Sequence, residues 1–296
     1  MPMTLKSISS CVLSLALGAP CLTMAASTQL CPSNATPPPG AQALGFTKQL
    51  FCVVPTMSDI SLSDSAVAKL YSGSWYAKAP VPLSKYLMSG STLVLDNGGG
   101  LMTQTRASGP GQLPLLQASA GFYVEFSESI SDNDPDHFPA VWLMPQEHNG
   151  KHTDHLPSDP PGSERWMELD VDEGGYNAGH HGAMISWWGT FPNYQHQTNN
   201  NDPSATFGMD RTQPHVFGLS YDPKAQKVTW WVDGQDTGSV STASVGSYVN
   251  AHHYYLLMNS QNHGANKPYK MALHYFSAWS GQDVPKAPSG VTASPP

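Results

Sequence analysis

The chain has 296 residues, a formal net charge of -8, and only 12% Lys, Arg, Asp and Glu against 26 glycines and 26 prolines. Long amphipathic helices need more charge and fewer breakers, so the composition argues for a loop-rich β protein of one large domain or two smaller ones. The acidic balance argues against nucleic acid and anionic membrane as partners and suits a neutral or cationic substrate.

The N-terminus reads as an export signal. Lys6 supplies positive charge, residues 12–19 an apolar run too short to span a membrane, and Thr23-Met24-Ala25 a small-residue cut site before Ala26. Residues 1–25 are therefore read as a signal peptide and the mature protein as soluble, secreted or periplasmic, with no membrane after cleavage. Gly18-Ala19-Pro20 makes a poor lipid-attachment site before Cys21. Cys11 and Cys21 leave with the signal. Cys31 and Cys52 remain, and in an exported chain they most simply form a disulfide, two buried thiols being the alternative. Asn34-Ala35-Thr36 is a glycosylation sequon that matters only on a eukaryotic secretory route. Residues 26–70 are read as an irregular N-terminal segment, Pro-rich from Pro32 to about Gly40, and 285–296 as a disordered tail.

Between these ends, short alternating or apolar segments are punctuated by Gly, Pro, Asn and Asp. Strands are predicted at 93–95, 121–126, 140–144, 167–171, 183–188, 216–221, 228–232, 254–258 and 271–276, with a tight turn at Asp233-Gly234. No segment keeps a helical period and no internal repeat is found. Many strands at short spacing imply an all-β sandwich of jelly-roll type, two curved antiparallel sheets face to face. One connection, 145–164, is long and polar and carries His148, His152 and His155. Their spacing lacks a metal-ligand pattern, so the loop is read as a solvated rim and no metal site is assigned.

The most informative stretch is Glu168-Leu169-Asp170-Val171-Asp172-Glu173. On a regular strand Glu168, Asp170 and Asp172 share one face, while Leu169 and Val171 point to a core. Stacked like charges repel and persist where a metal or acid/base chemistry uses them. A calcium site is the plainer alternative, but calcium prefers irregular, Gly-containing backbone with ligands from several directions. Glu173 faces the same way as Glu168 only if the strand holds a bulge, and bulges are frequent beside active sites. Without one, Asp172 would stand in its place with a shorter reach.

The spacing Glu-x-Asp-x-x-Glu resembles the signature of glycoside hydrolase family 16, in its bulged, laminarinase-like branch. Gly121-Phe122-Tyr123-Val124-Glu125, Phe138-Pro139-Ala140-Val141-Trp142, Thr229-Trp230-Trp231-Val232-Asp233-Gly234 and Tyr255-Leu256-Leu257-Met258-Asn259 look like that family's neighbouring strands. The resemblance implies a concanavalin A-like sandwich and a catalytic domain over about 71–284. It also implies a retaining endo-hydrolase in which Glu168 is the nucleophile, Asp170 assists it and Glu173 is the acid/base. The implied partner is a polysaccharide, with β-1,3- or mixed-linkage glucan as the default; no cofactor is needed, room is left for a structural calcium away from the site, and a monomer is expected. By position in the family, Trp142, His181, Trp187 and Asn259 are substrate-binding candidates, and Tyr176 and Tyr194, expected in loops flanking the same strand, are candidates for substrate-binding subsite walls. Trp188, adjacent to Trp187, must face the other way. Asp172, Phe138 and Ile185 depart from the family's usual residues. A non-catalytic carbohydrate-binding protein on the same fold is the alternative.

Overall fold

The computed structural model describes residues 31–32, 36–148, 154–174, 179–261 and 267–281. The export signal, Asn34 of the sequon, His152, Tyr176 and the tail expected from residue 285 lie outside the described residues.

Every segment with strand periodicity is a strand. In chain order the first are β1 (Lys48–Val53), β2 (Ile60–Ser61), β3 (Leu70–Ser72), β4 (Tyr86–Ser89), β5 (Thr92–Asp96) and β6 (Gly100–Met102). Then come β7 (Leu116–Gln117), β8 (Phe122–Ile130), β9 (Phe138–Pro145), β10 (Glu164–Glu173), β11 (Gly182–Thr190) and β12 (Asn193–Asn201). The last are β13 (His215–Asp222), β14 (Lys227–Val232), β15 (Gln235–Ser241), β16 (His253–Gln261) and β17 (Lys270–Ser280). One sheet runs β15-β14-β13-β8-β17-β5-β4, with β1 also on β17; the other runs β12-β11-β10-β9-β16-β6-β3-β2, with β7 also on β16. Among the described residues only β2 and β3 pair in parallel. The fold is a two-sheet, almost wholly antiparallel β-sandwich.

The alternating residues of both sheets close on one another as predicted by period two. Phe122, Val124 and Phe126 of β8, with Phe217, Leu219, Val228 and Trp230, meet Val141, Leu143, Met167, Leu169, Val171, Met184, Leu256 and Met258. Trp230 crosses furthest: fully buried, it donates its Nε1–H to the carbonyl of Asp170 at 2.8 Å and so ties the far sheet to β10. A Cβ at position 182 would lie 2.2 Å from that indole nitrogen, which leaves glycine as the residue that fits. Asp233 and Gly234 form the two-residue turn between β14 and β15 with φ of +48° and +79°, the left-handed conformation such hairpins require.

The segment read as an irregular lead-in is instead built into the sandwich from residue 39 onward. A five-residue helix α1 (Pro39–Ala43) and Phe46 cover Tyr123, Trp231 and Trp279 on the outer face of the first sheet. β1 then pairs β17 through 276–280, beside the 270–273 stretch that β5 occupies. Leu50, Phe51, Cys52 and Val53 give β1 a short apolar run, and a long partner strand and the outer aromatic face of the first sheet organise the segment. Cys31 and Cys52 are joined across 21 residues, with Cα atoms 5.9 Å apart, and anchor the chain start to β1.

That anchor acts mainly on the unfolded chain. Replacing Cys52 by Ser should cost about 2–4 kcal/mol in urea unfolding; an unchanged midpoint in the variant would show that the cross-link contributes nothing.

Candidate active site

β10 places its acids by a break in register. Asp170 sits opposite Trp142 of β9, yet the next paired residue is Asp172, opposite Val141, leaving Val171 as the extra residue of a bulge. The bulge turns Glu173 onto the face of Glu168 and Asp170, opposite Ala140. It also turns Asp172 into the interior, where it is fully buried. The expectation from a regular strand, that Asp172 shares the face of Glu168 and Asp170, is therefore corrected: one inserted residue reverses every side chain after it.

A bulge leaves backbone groups without ladder partners, and here side chains supply them. His180 meets the Val171 carbonyl through Nε2 at 2.9 Å; burial pushes its pKa down, so the ring stays neutral and donates an N–H. Trp230 serves the Asp170 carbonyl, as above. The amide of Glu173 donates to the His181 carbonyl at 2.8 Å, and the amide of Gly174 to that of Pro139 at 2.8 Å. Asp172 receives Arg211 Nη2 at 2.6 Å; the same guanidinium donates to Glu128 Oε1 at 2.8 Å and to the Gly179 carbonyl at 3.1 Å. Neither His180 nor Arg211 stood out in the sequence. Arg211 carried the one usable signal, being among only three arginines in the chain.

On the exposed side, Glu168 is half-buried and accepts the Trp187 indole N–H at 2.8 Å. Glu173 is about as open, with 20% of its side chain exposed, and its Oε2 lies 3.9 Å from His181 Nε2. His181 Nδ1 in turn bonds Asp202. Asp170, 1% exposed, lies between the glutamates with neither carboxylate oxygen bonded among the described residues. Burial raises all three acids. Glu168 goes up to about 7, against the opposing pull of the Trp187 N–H. Glu173 goes up to about 8, through burial and then the charges of Glu168 and Asp172. Asp170 lies well above its usual range, through burial and both glutamates. Three acids on one poorly solvated face cannot all ionise, so the group holds protons at neutral pH.

Aromatic side chains line the same face. Trp187 stacks on Trp166 at 5.6 Å with planes 8° apart, and Tyr194 meets Trp166 edge-on at 4.8 Å. Trp142, 7% exposed, donates to Asn259 Oδ1 at 2.8 Å, and Asn259 Nδ2 to Ser74 at 3.0 Å. These two form a floor under the acids, whereas Trp187, Trp75 and Tyr194 keep exposed edge. Trp188 is 38% exposed on the opposite face.

One loop histidine differs from expectation. His148 is 4% exposed rather than solvated: its ring lies flat on Trp166 with centroids 3.6 Å apart, and Nδ1 is 2.9 Å from Asp154 Oδ2. The aromatic surface it covers drives that burial. His155 is exposed.

No family model matches the sequence, and no curated protein does. Among solved structures the chain is similar to one described with endo-acting O-glycanases by which human gut microbiota initiate mucin breakdown, at 17% identity and TM-score 0.48, over 79% of this chain and 99% of that one. It is also similar to a Bacteroides ovatus mixed-linkage glucan family 16 protein in complex with product, at 12% and 0.44, over 65% and 84% of the two chains. A third likeness is to the Pyrococcus furiosus endo-β-1,3-glucanase, at 18% and 0.44, over 67% and 78%. Likenesses this distant carry no weight for the chemistry, which rests on the site's own geometry.

The cluster behind the bulge sets a pH dependence of folding. Burial and the Asp172 charge hold Glu128 protonated up to about 8, against an ordinary 4.5. The folded chain thus binds the extra proton between those values, and its stability falls as pH rises through that window. Glu128→Gln keeps the shape without the titration, so its melting temperature should fall less than the parent's from about pH 5 to about pH 8. Parallel curves would show that Glu128 is ionised throughout.

Proposed function

We propose that the chain is a secreted, endo-acting retaining glycoside hydrolase of family 16 type that cleaves internal β-linkages of a polysaccharide, a β-1,3- or mixed-linkage glucan being the simplest substrate. One observation carries the reading: the bulge at Val171 puts Glu168 and Glu173 on one aromatic-lined face with Asp170 between them, while Asp172 is turned inside. Paired carboxylates on one face can grip a glycosidic bond, and flat indole faces hold sugar rings by stacking and exclusion of water.

The two glutamates have different environments and hence different roles. Glu168 has the Trp187 N–H to stabilise its anion and ionises first, which suits attack on the anomeric carbon. Among the described residues Glu173 has no comparable donor, and it feels the charge of Glu168, so it keeps its proton to near 8 and can deliver it to the leaving oxygen. When Glu168 becomes a glycosyl ester its negative charge disappears. The pKa of Glu173 then drops, and the same carboxylate takes a proton from the incoming water. Asp170 has no donor among the described residues; burial and the charges of both glutamates favour its protonated form, which gives it an O–H to offer Glu168. His181, braced by Asp202, stands 3.9 Å from Glu173 and orients it. No cofactor enters these steps, and a single chain holds every group they need.

A reducing-end assay over β-glucans, agar, carrageenan and xyloglucan tests the activity; no product from any of them would overturn it. The pH profile of kcat/KM should be bell-shaped, with apparent limbs near 7 and 8 that belong to the coupled pair. Glu173→Gln should lower polysaccharide turnover by about 10²–10⁴, yet release an aryl leaving group that needs no proton. Glu168→Gln should abolish both. Equal losses on both substrates in both variants would sink the division of roles.

A further inference from the structure

Beyond the acid cluster, a second group of chemistry-bearing side chains lies at one end of the aromatic face. We propose that His148, Asp154 and Glu164 form a binding site for a divalent transition-metal ion of the zinc type, joining the two ends of the β9–β10 connection.

The donor atoms are already gathered. One ligand atom from each residue lies within 4.8 Å of the other two, and all three residues are buried. His148 Nδ1 is 2.9 Å from Asp154 Oδ2 and 3.6 Å from Glu164 Oε2. A tetrahedral zinc with bonds of about 2.0–2.1 Å needs ligand atoms about 3.3 Å apart, so these two separations bracket the requirement. An independent observation points the same way. Asp154 is 3% exposed, yet its Oδ1 has no hydrogen-bond partner among the described residues. Buried carboxylate oxygens are rarely left so, and a cation beside Oδ2 would compensate it.

The surroundings are those of a held ligand set. Trp166 fixes the plane of the imidazole from one side, and Trp75 meets it edge-on at 5.4 Å. Tyr194 donates its hydroxyl to Glu164, as outer groups orient metal-binding carboxylates. One imidazole with two carboxylates is a borderline set that suits zinc and its neighbours better than calcium or magnesium, which prefer oxygen alone. Among the described residues three side chains supply ligands, and a tetrahedral ion takes one more. The ion would not touch the reacting sugar. Glu164 opens β10 four residues before Glu168, and His148 follows β9. A metal there would pin the long connection against Trp166, which stacks on Trp187.

The test uses the full mature chain, stripped by a chelator and titrated with zinc chloride by calorimetry. One equivalent should bind and raise the melting temperature. Asp154→Asn and His148→Gln should weaken binding about tenfold or more and remove the thermal shift, while His155→Ala, at an exposed loop position, should change neither. Cobalt loading should give the visible bands of a tetrahedral site in the parent and not in Asp154→Asn. Asp154→Asn is nearly isosteric, so it keeps the test decisive should His148→Gln fail to fold. Absence of binding, or binding untouched by Asp154→Asn, overturns the proposal and leaves an ion-pair network of the three side chains. Either result leaves the hydrolase reading intact, because the readouts are binding and stability.

Discussion

The site hangs on one surplus residue in a strand. Val171 breaks the register of β10 against β9, and from that point each side chain exchanges faces. An insertion of this kind persists only if the polar groups it strands find partners, and three separate parts of the chain provide them. His180 takes the Val171 carbonyl, Trp230 the Asp170 carbonyl, and Arg211 the carboxylate of Asp172. Each lies on a different stretch of chain, two of them far from β10 in sequence. The position of Glu173 is thereby a property of the whole sandwich rather than of the motif that contains it.

The same arrangement separates charge. Arg211 lies on the core side of β10, where it neutralises Asp172 and holds Glu128, and no guanidinium reaches the three acids on the other side. A cation in front would fix every carboxylate as an anion; a cation behind stabilises the bulge and leaves Glu168, Asp170 and Glu173 to compete for protons. Trp187 then breaks the symmetry of the pair by donating to Glu168 alone among the three. Structural and chemical demands are met on opposite faces of a single strand.

Much of this was legible in the chain. The nine segments with strand periodicity are strands because each has one face to bury, and the ordered Glu, Asp and Glu of β10 marked the site. β12 was not legible: its sequence, Asn193-Tyr194-Gln195-His196-Gln197-Thr198-Asn199-Asn200-Asn201, has no apolar face because it is a sheet edge with little to cover. β15, also an edge, is similarly polar. Asp172 could not be placed, since a bulge changes facing without changing composition. His148 was misjudged for a related reason: burial on Trp166 depends on where a long connection returns, which local pattern does not encode. The order of the N-terminal segment does not show in its own residues because its partners, the outer aromatics of β8 and β14 and the strand β17, all come much later in the chain.

That last pairing fixes an order of assembly. β17 is the last strand among the described residues, yet it lies between β8 and β5 and also receives β1. The first sheet cannot close until β17 is present, and its earliest segment must wait for its latest. Contacts between chain ends are the slowest to form. A nascent molecule therefore stays open along a seam beside β8 until residue 280 has been made.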